Sequence, residues 1–320
     1  MFVINKMELE LTDGLLEKIA YYMNDRGLAY RTKIEYLNAL KLIKKKYKIL
    51  NQKNSKLILG KRTQNRNKAT LSLINDYCLD NEIDFNIRFT KGRIKRRRFP
   101  EIFTKEEIKI IIDSTPKPYN LMIRIIYSCG AGLRISEVIM LTYGNFSWGT
   151  WLKRNEEEPE SKIDGILKIK QGKGGKDRLV NVPYSLMKDL YDFAKEQEIL
   201  DEMQYPSSNM RIFKFGYLDY ENFIKKTSGF SKDKKKAEYI RTCYDWFKYN
   251  IVKKYCAKAI GRKIKIHSLR HSRATHLYEE GVPLEKIQKL LGHENIQTTL
   301  IYAQISEKET LRSMKGIKEI

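Results

Sequence analysis

The residues able to do chemistry in this 320-residue chain fall in four short stretches that follow one another in order. GLRISE sets Arg134 at the start of a helix, directly after a tight glycine turn. QGKGGKDR sets Lys173 and Lys176 at the tip of a hairpin. HSLRH sets His267 and Arg270 three apart, which puts both on one helix face. LGHENIQTTLIY supplies His293 and, nine residues later, Tyr302. Two arginines, two histidines, a lysine and a tyrosine make a complete set for moving a phosphodiester onto a hydroxyl. Two guanidiniums grip the non-bridging oxygens bidentately, stay charged at every relevant pH and need no metal. An imidazole steers or deprotonates a phenol whose pKa starts near 10, and a partly desolvated lysine protonates the leaving oxygen.

Positioning these groups takes a series of elements that the pattern of the chain already suggests. Residues 1–88 look all-helical. Ile34, Leu37, Leu40, Ile43, Tyr47 and Leu50 form one stripe, with Lys41, Lys44, Lys45 and Lys48 facing elsewhere, and a second helix runs from Ala69 to Leu79. KGRIKRRRFP (residues 91–100) is too basic to pack into a core and reads as a linker that touches phosphates through Arg93, Lys95, Arg96, Arg97 and Arg98. Thr104 to Glu107 is a capping box that opens a new domain. A helix follows from Tyr119 to Ser128, and residues 163–171 and 178–182 read as paired strands. Residues 185–260 are helical by pattern, interrupted by Gly216, Gly229 and the lysines of 232–236; SKDKKK and CYDWFKYN look like an insertion. Three short helices close the chain, one starting with Pro283 in its first turn and ending at Gly292.

Composition narrows the partner. Lys and Arg total 62 against 39 acidic residues, a net charge of +23, which draws polyanions and makes nucleic acid the expected partner. No apolar run approaches 18 residues and no leader stands at the N-terminus, so the expected location is the cytoplasm, on the nucleoid. Cys78, Cys129, Cys243 and Cys256 are scattered without a CxxC pair and read mostly as small core residues in a reducing compartment, not as zinc ligands. His271 and His276 beside the HSLRH motif read as packing or hydrogen-bonding support, and Trp148, Trp151 and Trp246 as core or interface residues.

GLRISE, KGGKDR, HSLRH and LGH…Y together resemble the catalytic motifs of the tyrosine recombinases, the family of phage integrases, Xer proteins and Cre, over about residues 100–310. LAYRTKIEYLNALKLI more weakly resembles that family's helical core-binding domain. The resemblance implies a mainly α fold with a small antiparallel β-sheet. A helical core-binding domain (1–90), a basic linker (91–101), a mixed α/β catalytic domain (102–305) and a C-terminal tail for protomer contact (306–320) would form a C-shaped clamp on DNA. It implies that Arg134 and Arg270 bind the scissile phosphate, with His267 and His293 beside them, Tyr302 as nucleophile and Glu137 as a buttress. Lys173 matches the general acid, with Lys176 as its rival or as a DNA contact. No cofactor is implied. The expected partners are double-stranded DNA sites and three further copies of the chain, acting through a 3′-phosphotyrosyl link and a Holliday junction. Two other readings stay open, a type IB topoisomerase-like relaxing enzyme and a DNA-binding protein that no longer cuts.

Overall fold

A computed structural model describes residues 8–28, 30–59, 64–88, 99–170, 177–227, 231–293 and 295–314. The chain divides into two compact units, Met1–Arg96 with Ser231–Ala237, and Arg97–Phe230 with Glu238–Ile320.

The N-terminal unit holds helices α1 (Asp13–Asp25), α2 (Tyr30–Lys46), α3 (Gln52–Leu59) and α4 (Gln64–Asp80), with a two-residue antiparallel pair β1 (Leu9–Glu10) and β2 (Ile49–Leu50). Thr12 caps α1 by accepting the Leu15 amide at 3.1 Å, and Asp13 in the first turn faces the positive end of the helix dipole. Leu16, Ile19 and Met23 of α1 pack with Leu40 and Ile43 of α2 and Leu71, Ile74 and Cys78 of α4. The apolar stripe read along residues 34–50 needs correcting. α2 stops at Lys46, Leu50 is buried in β2, and Ile34 is exposed. Spacing by three residues drifts about 60° per step around an α-helix, so Ile34 cannot share a face with Ile43.

The C-terminal unit opens on α5 (Lys105–Asp113), where Thr104 and Glu107 form the reciprocal capping box. Next come α6 (Tyr119–Ser128), the short α7 (Ile135–Ile139) and α8 (Trp148–Glu157). A hairpin follows, β3 (Gly165–Ile169) and β4 (Arg178–Val182), then α9 (Tyr184–Glu196) and α10 (Tyr220–Lys226). α6 is the central element: Leu121, Met122, Ile123, Ile125 and Ile126 are all buried, each contributing about 2 kcal/mol through burial. In β3 and β4 buried and exposed residues alternate at period two, so Leu167, Ile169, Val180 and Val182 face the core.

Of the two stretches read as an insertion, SKDKKK is exposed to half-buried, whereas CYDWFKYN sends Cys243 and Phe247 into the core. α11 (Lys232–Phe247) begins inside the lysine run, and a π-helical stretch, Lys248–Cys256, carries it into α12 (Ala257–Ile260). Tyr239, Cys243, Phe247, Ile251, Val252 and Cys256 join the main hydrophobic cluster, because successive turns keep one apolar face beneath a lysine-rich surface. Trp148 and Trp151 are buried there too, as are all four cysteines of the chain in their respective units. The chain closes with α13 (Ile266–Glu279), α14 (Leu284–Leu291, with Pro283 at the cap rather than inside) and α15 (Leu300–Met314). No helix among the described residues is long and apolar enough to cross a membrane.

Candidate active site

Arg270 is the anchor. It lies in the first half of α13 and is 1% exposed, so its five N–H donors must find partners inside the protein. Two do so on backbone: Nη1 donates to Gly132 O and Nη2 to Leu291 O, both at 2.7 Å. The first contact depends on the glycine turn before Arg134. Gly132 sits at φ +94, and a Cβ there would lie 3.1 Å from Arg270 Cα and from Ile126 O. Only glycine lets that loop run so close under α13.

The second contact explains the LGH motif. α14 ends in a Schellman turn in which Gly292 (φ +65) and His293 donate their amides back to Lys289 O and Gln288 O. That leaves the carbonyls of Leu291 and Gly292 projecting from the negative end of the helix. Arg270 takes the first, and Arg134 Nη2 reaches the second at 3.4 Å. One helix terminus thus holds both arginines.

Arg134 occupies the N-cap of α7, and Glu137 one turn later accepts both its backbone amide (2.8 Å) and its Nη1 (2.9 Å). The same carboxylate receives both terminal nitrogens of Arg178, the first residue of β4, at 2.9 and 2.8 Å. Burial alone would raise the Glu137 pKa, but the Arg178 hydrogen bonds and charge, with Arg134 behind them, hold it below the usual carboxylate range. Two guanidiniums, Arg134 and Arg178, therefore bind one carboxylate, and with Arg270 in the same electrostatic neighbourhood three positive charges stand against one negative. Burial, then Arg134, pushes the Arg270 guanidinium down to about 9, still cationic at neutral pH. Such a pocket is built for an anion that gains charge, as a phosphodiester does on being attacked.

Tyr302 lies in the first turn of α15 and is 1% exposed, packed with Ala131, Ala274, Leu277, Ile287, Leu291 and Ile305. Its hydroxyl is 3.1 Å from His271 Nδ1, and the two rings are 5.8 Å apart. Burial raises the phenol's pKa, while the Arg270 and Arg134 charges pull the other way, which puts the hydroxyl inside the field of both arginines. His267, one turn before His271, meets its ring edge-on at 4.6 Å. His293 Nδ1 is joined to Thr299 Oγ1 at 3.0 Å, tying the end of α14 to the approach of α15. Burial lowers the pKa of both His267 and His271, the latter to about 3, with neighbouring His267, Arg270 and His293 adding to it. Both imidazoles are neutral at physiological pH.

The structure therefore brings Arg134, His267, Arg270, His293 and Tyr302 together in one unit. Lys173 and Lys176 lie in 171–176 and Arg93, Lys95, Arg96, Arg97 and Arg98 in 89–98, outside the described residues. The flanking strands end at the paired residues Ile169 and Arg178. Sequence reasoning gave no role to one residue of the pocket, Arg178, and read another, His271, as packing or hydrogen-bonding support. Arg178 carried a signal, since a basic residue in register with inward-facing Val180 and Val182 requires a buried anion. His271 stands four residues after His267 on the same helix face, a spacing that was legible although its contact with Tyr302 was not. His276, by contrast, is a buried support that hydrogen-bonds the Tyr127 hydroxyl at 2.8 Å.

Comparison with known proteins places the chain in a family. Residues 101–309 match the model of the phage integrase family. The chain is 31% identical over 227 residues to tyrosine recombinase XerA of Thermococcus kodakarensis, covering 70% of this chain and 65% of that protein. It is 29% identical over 226 residues to a tyrosine recombinase of Thermosipho africanus, covering 69% and 63%. The alignments thus span slightly under two thirds of those relatives' own lengths. Among solved structures, the fold is similar to the XerH site-specific recombinase bound to its palindromic difH substrate (TM-score 0.58, 19% identity, 95% of this chain and 84% of that one). It is also similar to lambda integrase in a tetramer bound to a Holliday junction (TM-score 0.52, 17% identity, 93% and 78%). Because the matched span begins just ahead of α5 and ends within α15, it contains every residue of the pocket, and the chain belongs to the phage integrase family of tyrosine recombinases.

Proposed function

We propose that the protein is a site-specific DNA recombinase that cuts and rejoins duplex DNA through a 3′-phosphotyrosyl intermediate on Tyr302. The observation that carries this reading is the single helix end that holds Arg134 and Arg270, with the Tyr302 hydroxyl buried in their combined field. A phosphodiester seated on the two guanidiniums is attacked by the phenol oxygen. The negative charge that builds on the non-bridging oxygens is met by the guanidinium N–H groups that the protein carbonyls and carboxylate leave unused. The bond to the 5′-oxygen breaks, that oxygen takes a proton from Lys173, and the energy of the phosphodiester is kept in the tyrosyl ester. Attack by a 5′-hydroxyl from another strand reverses these steps and completes an exchange. Glu137 and Arg178 hold Arg134 in place and do not react.

In this reading the substrate is double-stranded DNA. The N-terminal helical unit and the basic residues Arg93, Lys95, Arg96, Arg97, Arg98 and Lys176 bind its phosphates, and four copies of the chain act on two sites. The 306–320 tail serves contact between protomers; removing it should spare DNA binding and weaken assembly on DNA, measured by sedimentation.

The reading is tested by trapping on a nicked duplex whose cut strand loses a short fragment after cleavage. The native protein accumulates a covalent adduct and Tyr302→Phe gives none. Failure of the native protein to form the adduct while it binds the duplex overturns the reading. Joining of two marked sites, as opposed to relaxation of a supercoiled plasmid, distinguishes recombination from topoisomerase action.

A further inference from the structure

Three imidazoles stand in the pocket, and their surroundings differ. His293 Nδ1 is engaged by Thr299, and His267 stacks edge-on against its neighbour. His271 places Nδ1 3.1 Å from the Tyr302 oxygen, the atom that must lose its proton to become a nucleophile. We propose that His271, in its Nε2–H tautomer, accepts the phenolic proton of Tyr302 during strand cleavage and returns it during resealing. This assignment rests on the function proposed above.

Burial makes an acceptor necessary. Tyr302 is 1% exposed, so bulk water has no access through which to take the proton, and a free phenolate is disfavoured there. The phenol donates to Nδ1, which directs the remaining lone pairs of its oxygen away from His271 and leaves them available for attack. His271 is also kept ready. The charged and titratable groups around it are His267 and Arg270 on its own helix, His293 beyond the end of α14, and Tyr302 on α15. The buried setting, then His267, Arg270 and His293, hold the imidazole neutral, with its pKa near 3, so Nδ1 can accept at any physiological pH. Incoming phosphate reverses that balance. Its negative charge, doubled in the pentacoordinate state, offsets the fields of Arg134 and Arg270, and an imidazolium at His271 becomes tolerable. Proton transfer is thereby coupled to occupancy of the arginine pair, and the nucleophile is not activated without DNA.

The step balances. The Tyr302 O–H bond breaks as the Oη–P bond forms, the proton moves to His271 Nδ1, and the P–O5′ bond breaks as that oxygen takes a proton from Lys173. Resealing runs each transfer backwards, so His271 delivers a proton to the departing phenol and ends neutral.

The test uses the full chain and a pool of nicked duplexes of randomised sequence, with covalent adduct measured in single turnover. His271→Asn keeps an acceptor oxygen near the Nδ1 position and so preserves the hydrogen bond, but amide oxygen is not a base. Its melting temperature and DNA affinity should stay close to native. Adduct formation should fall about 10²–10³-fold at pH 7. The native rate should be flat from pH 6 to 8, whereas the variant's should climb about tenfold per pH unit as the reaction comes to depend on the small phenolate fraction. His271→Asn within threefold of native, or with the same flat profile, overturns the proposal while leaving the function intact. Absence of adduct from the native protein overturns the function instead. If the variant does not fold, ¹⁵N spectra of the unsubstituted protein decide: an unprotonated, hydrogen-bonded Nδ1 at His271 supports the assignment, and a protonated Nδ1 overturns it.

Discussion

In the N-terminal unit, Lys41 and Lys45 of α2 are exposed, and Lys44 of the same helix pairs with surface Asp13 at 2.6 Å. In the C-terminal unit, Arg270 is 1% exposed, and the side chains of Arg134 and Arg178 are 19% and 12% exposed around a carboxylate that is itself buried. The two sets of cations do different physical work. A lysine in water contributes a screened, orientation-tolerant attraction to any phosphate backbone, and its loss is felt mainly through salt dependence. A buried guanidinium has been stripped of water and fixed by named carbonyls and a carboxylate, so its position is set to a fraction of an ångström before any ligand arrives. On the function proposed above, net charge would draw DNA to the surface and the internal arginines would decide what happens to one phosphate.

The comparison can be broken or sharpened by substitution. The largest effect is expected for Arg270→Lys. A lysine cannot reach both Gly132 O and Leu291 O and still present a bidentate face to phosphate, so single-turnover cleavage should drop about a thousandfold with DNA affinity nearly unchanged. Next comes Glu137→Gln, which leaves Arg134 and Arg178 without their shared anion. Stability should fall by about 3 kcal/mol in urea titration, and cleavage by tens of fold as Arg134 loses its support. Here the pH dependence has a definite sign. The Glu137 pKa is lowered on folding, so its contribution is fully present above the unfolded carboxylate value near 4.3. It is lost as pH falls through the lower folded value, and the gap between native protein and Glu137→Gln should close on acidification below about pH 4. Arg178→Ala should slow cleavage about tenfold while leaving DNA affinity at matched salt unchanged, because it acts on Arg134 only through Glu137. The smallest effect belongs to Lys41→Ala with Lys45→Ala. Affinity should weaken a few-fold, with no change in the cleavage rate of bound DNA. The slope of log K against log salt should become shallower by about one for each phosphate that the variant no longer neutralises. A change in the cleavage rate would break the distinction between the two units.

Much of the fold was legible because its signals are local. The capping box at Thr104, the helix Tyr119–Ser128 and the alternating strands of the hairpin each depend on residues within one or two turns of one another. The stripe on residues 34–50 misled for a physical reason, since a three-residue spacing leaves the buried face. The region after Arg178 misled because lysines at a helix start look like a break when only composition is read, whereas α11 buries Tyr239, Cys243 and Phe247 beneath them.

At the site, residue types and order were written in the chain: two arginines, the histidines and a tyrosine after LGH, with His267 and Arg270 on one face because helix geometry fixes neighbours three apart. What the sequence could not disclose was who satisfies whom. Arg270 with Gly132, Arg134 with Gly292, and Glu137 with Arg178 are separated by 138, 158 and 41 residues. Which of the histidines meets the tyrosine was equally hidden. Those pairings follow from the packing of α13 on the glycine turn and on the end of α14, since a buried charge accepts whichever partner the assembled fold brings within reach, and no local rule names that partner in advance.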